Sequence, residues 1–597
     1  MGATGNKLKT VDEESGEALK SVFAALDERR SFKLEAGAGA GKTTSLIEAL
    51  QRILANRRKY LPRKDQRVAC VTYTNVARNE IIRRTDSSPY VYAETIHGFL
   101  WNVIAPFEKQ LAREVLELDS WQKYLDGRTS LDGFSVHYRT GFPKITDDCV
   151  ELSHNDVPVL AAKLFSLPKF RAIVSDRFPI IFVDEYQDTP KGLAEAMLGD
   201  PGTSLRGSTF GFFGDHWQQI YQGTCGPIDQ PSVEPIAKRA NFRSCAAVVD
   251  LLNKMRPELL QAKKPDAGRG SVAIYHTNNW SGVRQKGHKK GQISSAAAKS
   301  ALEWVTNDAQ QRHWVGPAPD VKVLMLTHAA IADEVGFGGI SSAFQNNEAY
   351  AKKEDYIIAF LMDVLEPAFE SFQGKRYGAM FEVLSHGRRP VLQSGKDKIA
   401  WAKFFNSLAQ ARSDGSIGDV LDLCLKQRLF GGIEKVMERQ DDLEAALRDL
   451  QPGEELKKEQ RRLAEYAKLR NVKYIEAMAL RRHLDEKTPF STQHGVKGAQ
   501  YDSVVAVIGG GHPQHKYAEM LESFPRRAEL SGKDLERFTR ARNLFYVACS
   551  RAERHLVLLC TTDLSSEALQ TLQDWVGPSG VTAVRYEGDE AVGGEQG

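Results

Sequence analysis

Residues 31–50 read SFKLEAGAGAGKTTSLIEAL, and the order of residue types in this stretch decides the fold. SFKLE has the pattern of a short buried strand, AGAGAGKT is a glycine loop, and TSLIEAL opens an apolar-periodic helix. Strand, glycine loop and helix in that order is the context in which a phosphate loop works. Glycines let backbone N–H groups converge on phosphate oxygens, and the following helix adds the positive end of its dipole. Gly37, Ala38, Gly39, Ala40, Gly41, Lys42, Thr43 and Thr44 form the expected nucleotide cradle. Lys42 is expected to neutralise the β- and γ-phosphates of ATP, and the Thr43 hydroxyl to ligate Mg²⁺. The strict form of the pattern begins with glycine at the position of Ala36.

Downstream, residues 180–189 read IIFVDEYQDT. An apolar strand ending in Asp184–Glu185 puts two carboxylates at the carboxyl edge of a sheet, where open α/β folds bind ligands. Asp184 is expected to hold Mg²⁺ through water, and Glu185 to position and deprotonate the attacking water. A helix cap is the bland reading of such a pair, and the upstream phosphate loop argues against it.

Strand-like runs also stand at 68–73, 178–183 and 209–213, with a second set at 272–276, 321–326, 503–508 and 555–559. Two groups of buried strands alternating with helices predict an α/β fold with two parallel sheets. Helical stretches interrupt the first group at 100–175 and the second at 341–485. In the latter, Pro452–Gly453 punctuates two helices, and 454–484 reads as one helix with Leu463, Tyr466, Ala467, Tyr474 and Met478 on a packing face. Near the start, Ala18, Val22 and Leu26 recur at four-residue spacing on another helix. The segment 587–597 reads as a frayed, disordered tail.

With 42% hydrophobic and 26% charged residues among 597, the chain has enough apolar material for several packed cores. No apolar run approaches the ~18 residues of a membrane span, and the start lacks a signal-peptide core, so no membrane partner and a cytoplasmic location are expected. Seven scattered cysteines with no C-x-x-C pair argue for buried reduced thiols and against zinc or disulfide scaffolds. The net charge is only +3, so any nucleic-acid site must be a local groove. Basic runs at 55–64 and 284–291 are candidate phosphate contacts, although such runs are more often solvated faces.

The remaining motifs resemble one family. DEYQDT resembles the DEXQD box of the UvrD/Rep/RecB branch of superfamily 1 helicases. VTYTNVARNEI (71–81) resembles its FTNKAA box, ETIHGF (94–99) its TFHSF box, and GDHWQQIY (214–221) its GDPDQSIY box. ANFRS (240–244) resembles NYRS, TQHGVKGAQYDSV (492–504) resembles THxxKGLEFD, and LFYVACSRA (544–552) resembles LLYVAxTRA. With the phosphate loop, these are eight boxes in the family's order.

The resemblance implies two RecA-like P-loop cores, each with a mainly helical accessory insertion. The first core takes 1–99 and 176–240 around the insertion 100–175; the second takes 241–340 and 486–586 around 341–485. It also implies roles. Gln218 is the expected γ-phosphate sensor, Phe242 the aromatic under adenine, and Arg243 and Arg551 the arginines reaching the γ-phosphate from the second core. Tyr73, Thr74, Asn75, His97, Phe99, Tyr221, Thr492, His494 and Lys497 match positions on the single-stranded DNA path, with core packing the bland alternative for Tyr73 and Phe99.

Three departures stand out. Gln500 replaces the family's ribose-binding glutamate, no adenine-reading glutamine is evident near the amino terminus, and Gly223 takes the place of a base-stacking tryptophan. Trp217 is a candidate substitute for that ring, and a tryptophan restored at 223 is expected to tighten strand binding. The resemblance implies a 3′→5′ translocase or helicase acting on single strands or single/double-strand junctions. The alternative is a DNA-end-sensing NTPase that regulates a separate nuclease subunit, as in the helicase component of Gabija-type anti-phage systems. A non-catalytic P-loop scaffold conflicts with the intact Lys42, Asp184, Glu185, Gln218, Arg243 and Arg551.

Overall fold

A computed structural model describes residues 9–139, 143–199, 207–265, 268–314, 321–385, 394–427, 433–448, 460–509 and 515–585. The expected tail at 587–597 and Pro452–Gly453 lie outside the described residues. The chain divides into two compact units. One takes residues 1–272, 514–556 and 565–580; the other takes 273–513, 557–564 and 581–597.

The first unit is built on a six-stranded sheet in the order Val91–Thr95, Val68–Thr72, Ile180–Asp184, Thr209–Gly214, Ser31–Ala36, Val233–Lys238. Every neighbouring pair in it is parallel. Val68–Thr72, Ile180–Asp184 and Thr209–Gly214 are buried at every position, which is why they read as unbroken apolar runs rather than as alternation. Phe32, Phe182 and Phe213 pack edge to face between the central strands, with centroids 5.3–6.3 Å apart. Asp184 pairs with Phe213, and Glu35 with Gly214, so the acidic ends of neighbouring strands finish on one edge of the sheet.

The helix Val11–Asp27 buries Ala18, Val22 and Leu26, and its start is fixed by a reciprocal Thr10–Glu13 capping box. The described part of 100–175 is built of helices and a three-stranded sheet in the order Ser135–Tyr138, Cys149–Leu152, Lys144–Ile145. Strands of two to four residues are too short to show an alternation that sequence reading can detect. The hydrophobic cluster of this region is continuous with one face of the main sheet, running from Ala69 and Val71 through Phe99, Leu111 and Leu152 to Phe212.

The second unit holds most of another six-stranded sheet, ordered Phe490–Thr492, Val321–Met325, Tyr501–Ile508, Ala552–Cys560, Ser271–His276, Val581–Ala583. Its helical region is cemented by a buried cluster in which Arg412 meets Glu366 at 2.6 Å and Tyr474 donates to Glu366 at 2.7 Å. Where one helix was expected across 454–484, the described part forms two, Arg461–Arg470 and Tyr474–Leu484, broken at 471–473. The break lets Ile417 and Tyr474 exchange backbone hydrogen bonds with Val472 and Gly415. The predicted apolar stripe does pack inward, with Tyr466 and Tyr474 fully buried. Two parallel-sheet α/β cores of RecA-like type, with helical regions between their strands, are therefore the architecture. Among the described residues, no helix is long and apolar enough to cross a membrane.

Candidate functional site

The phosphate loop leaves the strand Ser31–Ala36 and enters the helix Lys42–Ala55. Gly39 and Gly41 both adopt positive φ, +76° and +74°. At Gly39 a Cβ would stand 2.7 Å from Asn241 Oδ1 and 2.8 Å from the Arg243 Cβ, so this position takes only glycine for space as well as backbone conformation. The loop is held from outside its own strand. Asn241 and Gln261 both donate to the Ala38 carbonyl, at 3.0 and 3.1 Å, and the Ala38 N–H donates to the Tyr546 hydroxyl at 3.4 Å. The Phe242 N–H donates to Gly39 O, and the Phe242 ring is 38% exposed, leaving a face open beside the loop. Beneath the loop, Lys238 donates to Gly41 O and Ser45 Oγ, and burial pushes its ammonium pKa down to about 8.

Lys42 stands 3.8 Å from Glu185, which places the loop cation and the strand-end carboxylate in one site. Asp184 is buried and accepts from the Glu185 N–H at 3.1 Å. Glu185 itself has φ of +50°, a strained value for a non-glycine residue. Its carboxylate accepts from Gln187 Nε2 at 2.5 Å, which aims it rather than leaving it in a solvent rotamer.

Gln218 is held at both ends. Its Nε2 donates to Asp215 at 2.7 Å, and its oxygen accepts from Arg551 at 3.2 Å. Arg551 is 1% exposed, donates to Val547 O and Ser550 Oγ, and is pushed down to about 10 by burial and by the neighbouring Arg243. Arg243 donates to Ser550 O at 3.3 Å. Both arginines fall in the same compact unit as the loop, because the helix Gly532–Cys549 packs there through Asn543, which donates to His216 O and Gln219 O.

Several residues at this site carry no sequence signal. Arg256 is 2% exposed and donates to Asp215 at 2.6 Å and to Glu35 at 3.0 Å. Burial alone would raise the Glu35 carboxyl, but hydrogen bonding and charge from His216 and Arg256 and the Tyr186 hydroxyl hold it well below the usual range. Glu35, Asp215 and His216 lie close enough to ligate a metal, yet Arg256 already supplies the positive charge there. A lone arginine after an apolar helix is invisible as a site residue until the fold brings Glu35 and Asp215 to it.

The candidate DNA residues separate into surface and core. Tyr73, Thr74 and Asn75 form an exposed strip at the end of Val68–Thr72, with Thr74 capping the helix Asn75–Arg84. The Tyr73 ring stacks on Tyr221. His97 is half-buried. Phe99 does not belong with them: it is 1% exposed and packs edge to face on Phe178. It lies on the inner face of the helix Ile96–Ile104, within the hydrophobic cluster of this region.

Trp217 is no substitute for the missing tryptophan either. It is 2% exposed, under the Arg542 guanidinium at 3.8 Å and edge to face with Tyr546. Gly223 has φ of +73° with open space around it, so a tryptophan there has room but a disfavoured backbone. In the second unit, Thr492 ends its strand and accepts from the Gly495 N–H, while His494 and Lys497 lie on the following turn and Gln500 is exposed.

The acidic partners of the basic run 55–64 mark it as a paired surface, since Lys59 meets Asp27 and Arg63 meets Asp176. All seven cysteines are free thiols, and Cys70, Cys245, Cys424, Cys549 and Cys560 are buried.

Residues 19–224 match the family model of an AAA domain. Along almost its whole length the chain is similar to the Gabija protein GajB of Bacillus cereus (strain HuB5-5), at 22% identity over 92% of this chain and 96% of that protein. Lys42, Glu185, Gln218, Arg243 and Arg551 fall in one compact unit, with Lys42 beside Glu185 and Gln218 beside Arg551. Residues 19–224 are therefore an AAA domain of the UvrD-like helicase type, and that domain makes the protein a P-loop ATP hydrolase of the helicase type.

Proposed function

We propose that the protein is a single-stranded DNA translocase or helicase that couples ATP hydrolysis to movement along the strand, in the 3′→5′ direction implied by its family. The observation that carries this reading is the Gln218 carboxamide, held between Asp215 and Arg551 in the unit that also holds Lys42 and Glu185. A side chain fixed at both ends transmits a change at the γ-phosphate to the arginine, which is what coupling hydrolysis to motion requires.

In this reading Lys42 and the loop N–H groups take the phosphates, Phe242 stacks on adenine, and Gln500 hydrogen-bonds the ribose. Glu185 takes the proton of the attacking water, and Arg243 and Arg551 stabilise charge on the transferring phosphoryl. The Thr43 hydroxyl and Asp184 carboxylate are hard oxygen donors of the kind Mg²⁺ takes, and they would hold it. The ion would supply charge neutralisation on the phosphates. Tyr73, Thr74, Asn75, His97, Tyr221, Thr492, His494 and Lys497 are the residues that contact the strand.

The test is ATP hydrolysis with and without single-stranded DNA, beside Lys42→Ala and Glu185→Gln. Strong stimulation lost in both variants is expected. Hydrolysis indifferent to DNA overturns the motor reading.

The end-to-end similarity to a Gabija protein favours a second reading, an NTPase that senses DNA ends and governs a separate nuclease subunit. A stoichiometric complex on gel filtration, with hydrolysis but no unwinding, selects it over the first.

A further inference from the structure

The small sheet within 100–175 delivers two rings to His97. Tyr138 ends the strand Ser135–Tyr138, and His154 follows the strand Cys149–Leu152 by two residues. Parallel pairing sets Tyr138 opposite Leu152, so both side chains leave the same end of the sheet. The His154 ring lies face to face on His97, with centroids 3.5 Å apart at 17°. The Tyr138 hydroxyl and His154 Nδ1 share a hydrogen bond of 2.7 Å, and Tyr138 in turn meets Trp101 at 5.9 Å. His97, His154, Tyr138 and Trp101 therefore form a row of four rings, two from the helix Ile96–Ile104 and two from the small sheet.

The row runs outward from the edge of the interior: Trp101 and Tyr138 pack against the hydrophobic cluster, and His154 is the ring that reaches solvent. His154 is exposed and the other three rings are half-buried, while the hydrophobic cluster beneath is filled by Phe99, Val103, Val136 and Leu152. Burial, with the neighbouring His154, holds the His97 pKa down to about 4, and burial lowers His154 as well. Both imidazoles are thus uncharged at neutral pH and can lie in contact. The hydrogen bond to Tyr138 fixes the orientation of the outer ring. Flat, neutral, partly exposed rings held in orientation are the surface on which single-stranded nucleic acids stack their bases, whatever the sequence.

We infer that His154, oriented by Tyr138, carries the bound single strand beyond His97, one nucleobase stacking on its exposed face, so that the insertion forms part of the nucleic-acid path. The inference rests on the proposed placement of His97 along the strand. It adds a binding element of single-strand, sequence-tolerant character that the family's boxes do not contain.

The experiment is fluorescence anisotropy of the full chain with a labelled oligodeoxythymidine, comparing wild type, His154→Ala, His154→Phe and Tyr73→Ala, with melting temperatures as the fold control. His154→Ala is expected to weaken binding about five-fold or more, the loss of one stacked base, while His154→Phe retains it. Wild-type affinity in His154→Ala, with Tyr73→Ala impaired, overturns this inference and leaves the proposed function standing. Equal loss in His154→Ala and His154→Phe overturns the stacking role. No binding by the wild type overturns both.

Photocrosslinking of the wild-type chain to a halogenated oligonucleotide needs no variant to fold. Adducts on Tyr138 or His154 support the inference, and adducts confined to the strip 73–75 and Tyr221 overturn it.

Discussion

Arg256 donates to the Asp215 carboxylate at 2.6 Å with both side chains removed from water, 2% and 0% exposed. Such a pair is a weak source of net stability but a large liability when broken, because the surviving charge stays buried without a partner. Here the pair also sits behind Gln218, since the same carboxylate accepts the Gln218 amide. Arg256→Met is expected to cost about 3–5 kcal/mol in denaturant unfolding. In the fraction that folds, kcat should fall with little change in nucleotide affinity. A variant with normal kcat would show that Asp215 holds Gln218 without help from Arg256.

Gln218 makes a sharper test, since its own removal leaves the ion pair intact. A preorganised donor or acceptor at a phosphoryl-transfer site is worth about 10²–10³ in rate. Gln218→Ala should lower kcat by roughly that factor while a fluorescent ATP analogue binds as before. Equal loss of binding would mean the residue acts in the ground state and not as a sensor.

Two glycines separate space from conformation. Gly39→Ala adds a left-handed backbone cost of about 1–2 kcal/mol to a clash with Asn241 and Arg243, and should abolish nucleotide binding. Gly223→Trp meets no clash but bears the same backbone cost. It is therefore expected to lower the melting temperature without tightening single-strand binding, contrary to what alignment with the family's tryptophan suggests. Isothermal titration of the two variants with nucleotide and oligonucleotide distinguishes these outcomes.

How much of this was legible beforehand follows the range of the interactions. The phosphate loop, the strand Ile180–Asp184 and its carboxylates are local patterns, and each stands where its residues predicted. Four strands of the second sheet were legible for the same reason, whereas Phe490–Thr492 and Val581–Ala583, three residues each, are too short to show a pattern. Arg256, Glu35, Gln261 and Tyr546 were not legible, because their partners lie far away in the chain and only the fold brings them together. Whether Phe99 and Trp217 face outward was open in the sequence for a related reason. An aromatic residue in a DNA-path box looks identical in sequence whether its helix turns it outward or into the core, and here both are buried. The break at 471–473 was hidden because Asn471 and Val472 carry no glycine or proline signal.

Acid sensitivity should report the His97–His154 pair. His97 has its pKa lowered from 6.5 to about 4, by burial first and by His154 second. Between these values the unfolded chain binds more protons than the folded one, so stability is lost as pH falls from 6.5 through about 4 and is unaffected above 6.5. The ring is partly exposed, so solvent screening reduces the effect. His97→Gln should show a shallower fall in melting temperature than wild type between neutral and mildly acidic buffer. Parallel curves would mean that other groups govern the acid limb.

The Tyr73–Tyr221 pair makes a prediction about how the strand is held. The rings stack at 5.4 Å and 23°, and Tyr73 is 42% exposed while Tyr221 lies half-buried behind it. A base that caps the outer face of Tyr73 leaves this pair intact, whereas a base inserted between the rings must first give up about 0.5–1.5 kcal/mol of aromatic contact. Capping gains one stacked face, worth about 1–3 kcal/mol, at no such cost. Capping is therefore expected, and the two tyrosines should differ in importance. Tyr73→Ala removes the platform and should weaken single-strand binding about five-fold to a hundred-fold. Tyr221→Ala removes only its support and should weaken binding by about two- to ten-fold. A double-mutant cycle by anisotropy at fixed salt settles the matter. Equal losses in the two single variants would show that the base enters between the rings, and that strand binding opens the pair.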